Sequence, residues 1–204
     1  MIYPQRVSVE RWRANDASHF HSCYKQRRTS VTTRHDFVVR ALAKLFRQVG
    51  GTVHIETRIY GSERLRPDLH ITFPDQSFMV DVAVTHPAAP SKTNAVPLAA
   101  AKVVEHAKSE KYNDLARRHA TTFLPFVMES YGAYGDRAWD ILKILSAKAK
   151  DSAMILPSGV GSYADYAAKL LSLALQKGNA LIARRGATDA LAAVVAQGRR
   201  PVGD

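Results

Sequence analysis

Between Val38 and Val49 apolar residues recur at helical spacing: Val38, Ala41, Leu42, Leu45, Phe46 and Val49 fall on one stripe. Thr33 followed by Asp36 has the spacing of a capping box, and Gly50-Gly51 supply a stop, so "TTRHDFVVRALAKLFRQVGG" is predicted as a helix. The period then changes to two. In "TVHIETRI" Val53, Ile55 and Ile59 share one face, with His54, Glu56 and Arg58 on the other. "DLHITF" alternates likewise, with Leu69, Ile71 and Phe73 opposite Asp68, His70 and Thr72. "PDQS" is a turn signal, so this strand is expected to pair with "FMVDVAVT", where Asp81 shares a face with Met79 and Ala83.

A Pro-, Ser- and Ala-rich loop from His86 to Val96 precedes a helical pattern of about two dozen residues. "TTFLPFVMES" is mostly apolar, which predicts a fourth strand in the sheet interior. "GDRAWDILKILSAKAK" and the Ala- and Leu-rich stretch from Tyr163 to Val195 predict two or three further helices. The order is helix, three strands, helix, strand, then helices. That order implies an α/β fold with a mixed four-stranded sheet flanked by helices. It divides into a basic N-terminal arm (1–31), a core (32–150) and a helical extension with its tail (151–204).

Charge adds a partner class. Lys and Arg number 29 against 18 acidic residues, a formal net charge of +11, which favours polyanions. The basic residues are spread over several segments rather than gathered on one amphipathic helix, which favours nucleic acid over a membrane surface. No apolar run approaches the roughly eighteen residues of a membrane span, and the N-terminus lacks the apolar centre of a signal peptide. Cys23 has no second cysteine to pair with, so an intracellular, reducing compartment is expected.

Two acidic residues stand out against this background. If the hairpin folds symmetrically about residues 74 to 77, residue 68 lies opposite residue 83. Asp81 is then a diagonal, same-face neighbour of Asp68. Two carboxylates that close repel unless a cation neutralises them, and hard oxygen ligands suit Mg²⁺ or Mn²⁺.

"RPD", twelve residues, then "DVAV" resembles the PD-(D/E)XK nuclease superfamily, whose core is helix, three strands, helix, strand. More narrowly, it resembles the restriction-like endonuclease domain of non-long-terminal-repeat retrotransposon polyproteins, which follows those motifs with a helix carrying K-x-x-K-Y. Here that helix reads "AKVVEHAKSEKYNDLARRHA", with Lys108, Lys111 and Tyr112 in place, and "FLPFVMESYG" matches the next strand. The resemblance covers roughly residues 33 to 145. It departs from the wider superfamily at Ala83, where a lysine is usual; in the retrotransposon group that lysine has moved to the following helix. Lys108 lies on a stripe with Ala101, Val104, Tyr112 and Leu115, facing the sheet.

The resemblance implies a restriction-endonuclease-like fold and a metal-dependent endonuclease acting on DNA, with RNA as the other substrate. Asp68 and Asp81, with the Val82 carbonyl and Glu56, would hold Mg²⁺ or Mn²⁺. Lys108, with Lys111 as second choice, would orient water or stabilise the developing charge. Glu105 is near by helical spacing. Arg34, His35, Arg66 and Tyr112 are the expected nucleic-acid contacts, and a homodimer is compatible. A eukaryotic mobile element would place the protein in the nucleus, any other origin in the cytoplasm. The competing reading is a catalytically inactive nucleic-acid-binding module on the same fold; a plain α/β interaction protein is a third.

The residues outside this constellation carry less. His19, His21, Cys23 and His35 lack the two close ligand pairs of a structural zinc site. "RWR" with Trp12 and "YKQRR" with Tyr24 fit either stacking and phosphate contacts or a solvated arm. His86, at the end of the third strand, fits either a place near the site or a loop role.

Overall fold

The computed structural model describes residues 30–56, 65–87 and 97–198. The readings placed on Trp12, His19, His21, Cys23, Tyr24, Arg58 and Ile59 lie outside these residues.

Helix α1 (Thr32–Gln48) turns through Gly50-Gly51 into β1 (Thr52–Ile55), followed by β2 (Leu69–Thr72) and β3 (Ser77–Thr85). Helix α2 (Ala99–Arg118) leads to β4 (Thr122–Glu129), then α3 (Asp136–Asp151) and α4 (Tyr163–Gly198). The sheet order is β1-β2-β3-β4, antiparallel except for the parallel β3–β4 pair. The mixed α/β architecture expected from the periodicity is therefore observed.

The alternation in β3 divides the fold into layers. Phe78, Val80 and Val82 point into the main core with Leu69 and Ile71 of β2, the α1 stripe, and Ile141, Leu142 and Leu145 of α3. Met79, on the opposite face, packs with Tyr112, Leu115 and Ala116 of α2 and with Phe123 of β4. Helix α4 lies against α1 and α3, and contributes Ala167, Leu171 and Leu175 to the main core. Buried polar links fix this docking: the Tyr163 hydroxyl donates to the Leu45 carbonyl (3.0 Å) and that of Tyr134 to the Ala168 carbonyl (2.7 Å).

Three local expectations are corrected. The α1 N-cap is Val31, without a side-chain cap hydrogen bond, so the Thr33–Asp36 capping box does not form. Asp36 instead meets the neighbouring His35, Oδ1 to Nδ1 at 3.3 Å. The hairpin turns more tightly than expected: the Phe73 amide donates to the Gln76 carbonyl (2.8 Å), leaving Pro74 and Asp75 as the turn. Leu69 consequently pairs with Val80, and one further step sets Asp68 against Asp81 rather than Ala83. Finally, β4 is an edge strand in hydrogen-bond order, yet is buried from Phe123 to Glu129 beneath helices. An edge position suits Pro125, which has no N–H to give a second neighbour.

Candidate active site

Pro67 has no amide hydrogen, and the β2 ladder begins only at Leu69. Asp68, between them, uses its side chain where a regular ladder would use backbone. Its Oδ2 accepts from the Val82 amide at 2.6 Å, while its carbonyl accepts from the Glu56 amide at 2.9 Å. The carboxylate is thereby fixed to β3, and the backbone that carries it to the residue following β1.

His35, in the first turn of α1, reaches the same Oδ2 with Nε2 at 3.1 Å. Burial works against charge on this ring, but the hydrogen bonds and negative charges of Asp68 and Asp36 outweigh it and push its pKa up to about 9. With a carboxylate at each ring nitrogen, the imidazolium form makes both contacts.

Asp81 lies in the middle of β3 and is 5% exposed. Burial raises its pKa, and the charge of Asp68 raises it further; Lys108 and the Tyr112 hydroxyl pull the other way. Nζ of Lys108 donates to Asp81 Oδ2. The position two residues beyond Asp81 is Ala83, so here the ammonium comes from α2 rather than from β3. Tyr112 supports this approach from one turn further along α2. Its ring stacks on Phe123 with centroids 5.0 Å apart, and its hydroxyl donates to the Arg66 carbonyl at 3.0 Å. Burial, then the charge of Asp81, holds that hydroxyl protonated.

The structure thus brings Asp68, Asp81 and Lys108 together, with His35 added from α1. Other expected site residues serve different ends. Arg34 is 2% exposed, its Nη1 bonded to Asn179 Oδ1 at 3.1 Å, so it joins α1 to α4 instead of facing nucleic acid. Tyr112 is equally buried and belongs to the core beneath the site rather than to a contact surface. Glu56 follows the end of β1 with φ of 48°; its backbone braces Asp68 while its side chain is exposed. Val82 engages Asp68 through its amide. Lys111 is exposed, with Nζ 4.6 Å from the centroid of the Tyr112 ring. Arg66 is exposed beside the site. Glu105 is buried; Oε1 accepts from the Arg137 amide at 2.9 Å, which makes it a cap for α3. His86 Nδ1 lies 2.7 Å from Ser130 Oγ, in a buried pair at the far end of β3.

The fit to a hard cation follows from this donor set. Among the described residues no three or more His, Cys, Asp and Glu side chains are grouped to hold a metal ion. What the site offers is two carboxylates, with like charges that raise the cost of ionising Asp81. Mg²⁺ typically keeps several waters and takes only one or two protein carboxylates, so Asp68 and Asp81 fit it without a third ligand. A site demanding a full protein cage would not be met here.

No protein-family profile matches the chain. It is 30% identical over 140 residues to the retrotransposable element SLACS 132 kDa protein of Trypanosoma brucei gambiense. The chain is similar to part of a retrotransposon protein. The alignment takes in 63% of this chain and only 12% of that relative. No described helix is long and apolar enough to cross a membrane.

Proposed function

We propose that this retrotransposon-related chain is a PD-(D/E)XK-type endonuclease that hydrolyses phosphodiester bonds in DNA with Mg²⁺ or Mn²⁺. The observation that carries the proposal is the convergence of Asp68, Asp81 and Lys108 at one end of the β2–β3 hairpin. A buried Asp81 between a second, half-buried carboxylate and a half-buried ammonium is an expensive arrangement for a purely structural role. Similarity to a retrotransposon protein supports the same reading.

In this mechanism Asp68 and Asp81 would hold the cation, which would polarise the scissile phosphate and lower the pKa of a bound water. The chain's own part is positioning. The Val82 amide and His35 fix the Asp68 carboxylate, so that it presents one orientation. Lys108 holds three N–H donors beside Asp81, where they orient the attacking water and stabilise charge growing on the phosphoryl oxygens. Tyr112 keeps its proton and secures the segment preceding Asp68.

The test is cleavage of supercoiled plasmid by purified protein with Mg²⁺ or Mn²⁺. Wild type is expected to cut, and Asp81→Asn to bind DNA without cutting. Equal cleavage by both would assign the activity to a contaminant and remove the proposal.

A further inference from the structure

His35 and the Val82 amide meet the same oxygen of Asp68. The Val82 nitrogen lies 2.6 Å from Oδ2, and His35 Nε2 lies 3.1 Å from it. A carboxylate oxygen has two lone pairs. Among the described residues these two donors fill Oδ2, which leaves Oδ1 as the oxygen open to a cation. The ring is not at liberty to turn away. Its Nδ1 meets Asp36 Oδ1 at 3.3 Å, and both residues sit at the start of α1. A carboxylate only accepts, so the ring nitrogen that faces it carries the hydrogen whichever form the imidazole takes.

A two-oxygen grip by Asp68 would need Oδ2 to release a donor. Only one of the two is a side chain, because the other belongs to the β3 backbone. On the facing strand Lys108 commits Oδ2 of Asp81 to the protein in the same manner. Cations differ in what they require of such a pair. Mg²⁺ demands near-octahedral geometry and keeps several waters, and Mn²⁺ also suits an octahedral oxygen set. Ca²⁺ takes about six to eight oxygens in flexible geometry and readily accepts both oxygens of one carboxylate.

We propose that His35 is a positioning residue that sets the ion selectivity of the site. By occupying Asp68 Oδ2 it confines that carboxylate to one oxygen, which favours Mg²⁺ or Mn²⁺ over Ca²⁺. This rests on the nuclease reading for the presence of a cation between Asp68 and Asp81. It assigns to α1 a choice between ions that the two carboxylates alone would not make.

The experiment is calorimetric titration of the purified chain with Mn²⁺ and, separately, with Ca²⁺. Wild type, His35→Ala and His35→Gln are compared, with their thermal midpoints checked. The readout is the ratio of the two affinities. Any charge lost with the ring acts on both divalent ions alike and cancels in that ratio. Gln keeps an N–H donor that reaches the place of Nε2, whereas Ala keeps none. Wild type is expected to prefer Mn²⁺. In His35→Ala that preference should fall about tenfold, the scale on which an outer contact tunes a metal site. In His35→Gln it should stay within about twofold of wild type. No Mn²⁺ preference in wild type, an unchanged ratio in His35→Ala, or an equal fall in both variants overturns the role of His35. Plasmid cleavage together with an unchanged ratio removes that role alone and leaves the nuclease. Wild type that binds neither ion and cuts no plasmid removes the nuclease reading and the selectivity with it.

Discussion

Lys108 reaches from the middle of α2 to Asp81 in the middle of β3, and the two side chains neutralise each other inside the protein. Lys108→Met removes the cation and leaves Asp81 buried beside Asp68. Cleavage should fall about 10²–10³-fold, as for loss of one preorganised donor. DNA affinity, measured by fluorescence anisotropy, should stay within a few-fold. A loss confined to binding would assign the lysine to substrate attraction instead.

Metal binding should stabilise the fold. With cation at a hundredfold its dissociation constant, linkage adds about 2.7 kcal/mol. For a chain of 204 residues that corresponds to a rise of about 5–10 °C in the thermal midpoint. Scanning calorimetry with Mg²⁺ or Mn²⁺ should show the rise in wild type. It should be absent in Asp68→Asn and Asp81→Asn, which each lose one of the two anionic ligands.

Arg34 and Gly178 give a test of the reassigned arginine. A Cβ on Gly178 would lie 2.6–2.7 Å from the Arg34 Cα, Cβ and Cγ atoms, so α1 and α4 meet there without space for a methyl group. Alanine ordinarily favours a helix by about 1 kcal/mol over glycine. Here Gly178→Ala should instead destabilise by about 1–3 kcal/mol, read by urea unfolding. Arg34→Met should also lower stability, while leaving the salt dependence of DNA binding unchanged. A shallower salt slope in Arg34→Met would restore its nucleic-acid role.

Alkaline pH should loosen the α1–α4 contact. Burial raises the pKa of the Tyr163 hydroxyl in the folded state, so the unfolded chain loses that proton first as pH rises. The stabilisation is fully present below the ordinary tyrosine value of about 10 and is lost progressively above it. Thermal midpoints should decline above that pH. Tyr163→Phe, which has no proton to lose, should show a smaller decline.

Most of the architecture was legible because burial imposes period on sequence. The α1 stripe and the alternation of β2 and β3 reflect one buried face each, and the Asp68–Asp81–Lys108 grouping followed from placing three motifs on those elements. The errors came where polar residues are used internally. Nothing in "TTRHDF" distinguishes a buried Arg34 joined to Asn179, 145 positions away, from a surface arginine. The His35–Asp68 contact was equally hidden, because it depends on how α1 crosses the hairpin. The hairpin register missed by two because "PDQS" reads as a four-residue turn, whereas Gln76 and Ser77 are already paired with β2 or its extension. Glu56 alternates correctly but falls just beyond β1, where a positive φ redirects the chain.

The cap that Glu105 places on α3 bears on the lysine as well. Glu105 and Lys108 stand three positions apart on α2, so one turn of a single rod carries both the anchor and the amine that meets Asp81. Gly135 makes room for the anchor, since a Cβ there would collide with Glu105 Oε1. Any roll of α2 about its axis that withdrew the amine from Asp81 would also unseat the start of α3. The azimuth of Lys108 is thus locked through α3 as well as through its own ion pair with Asp81.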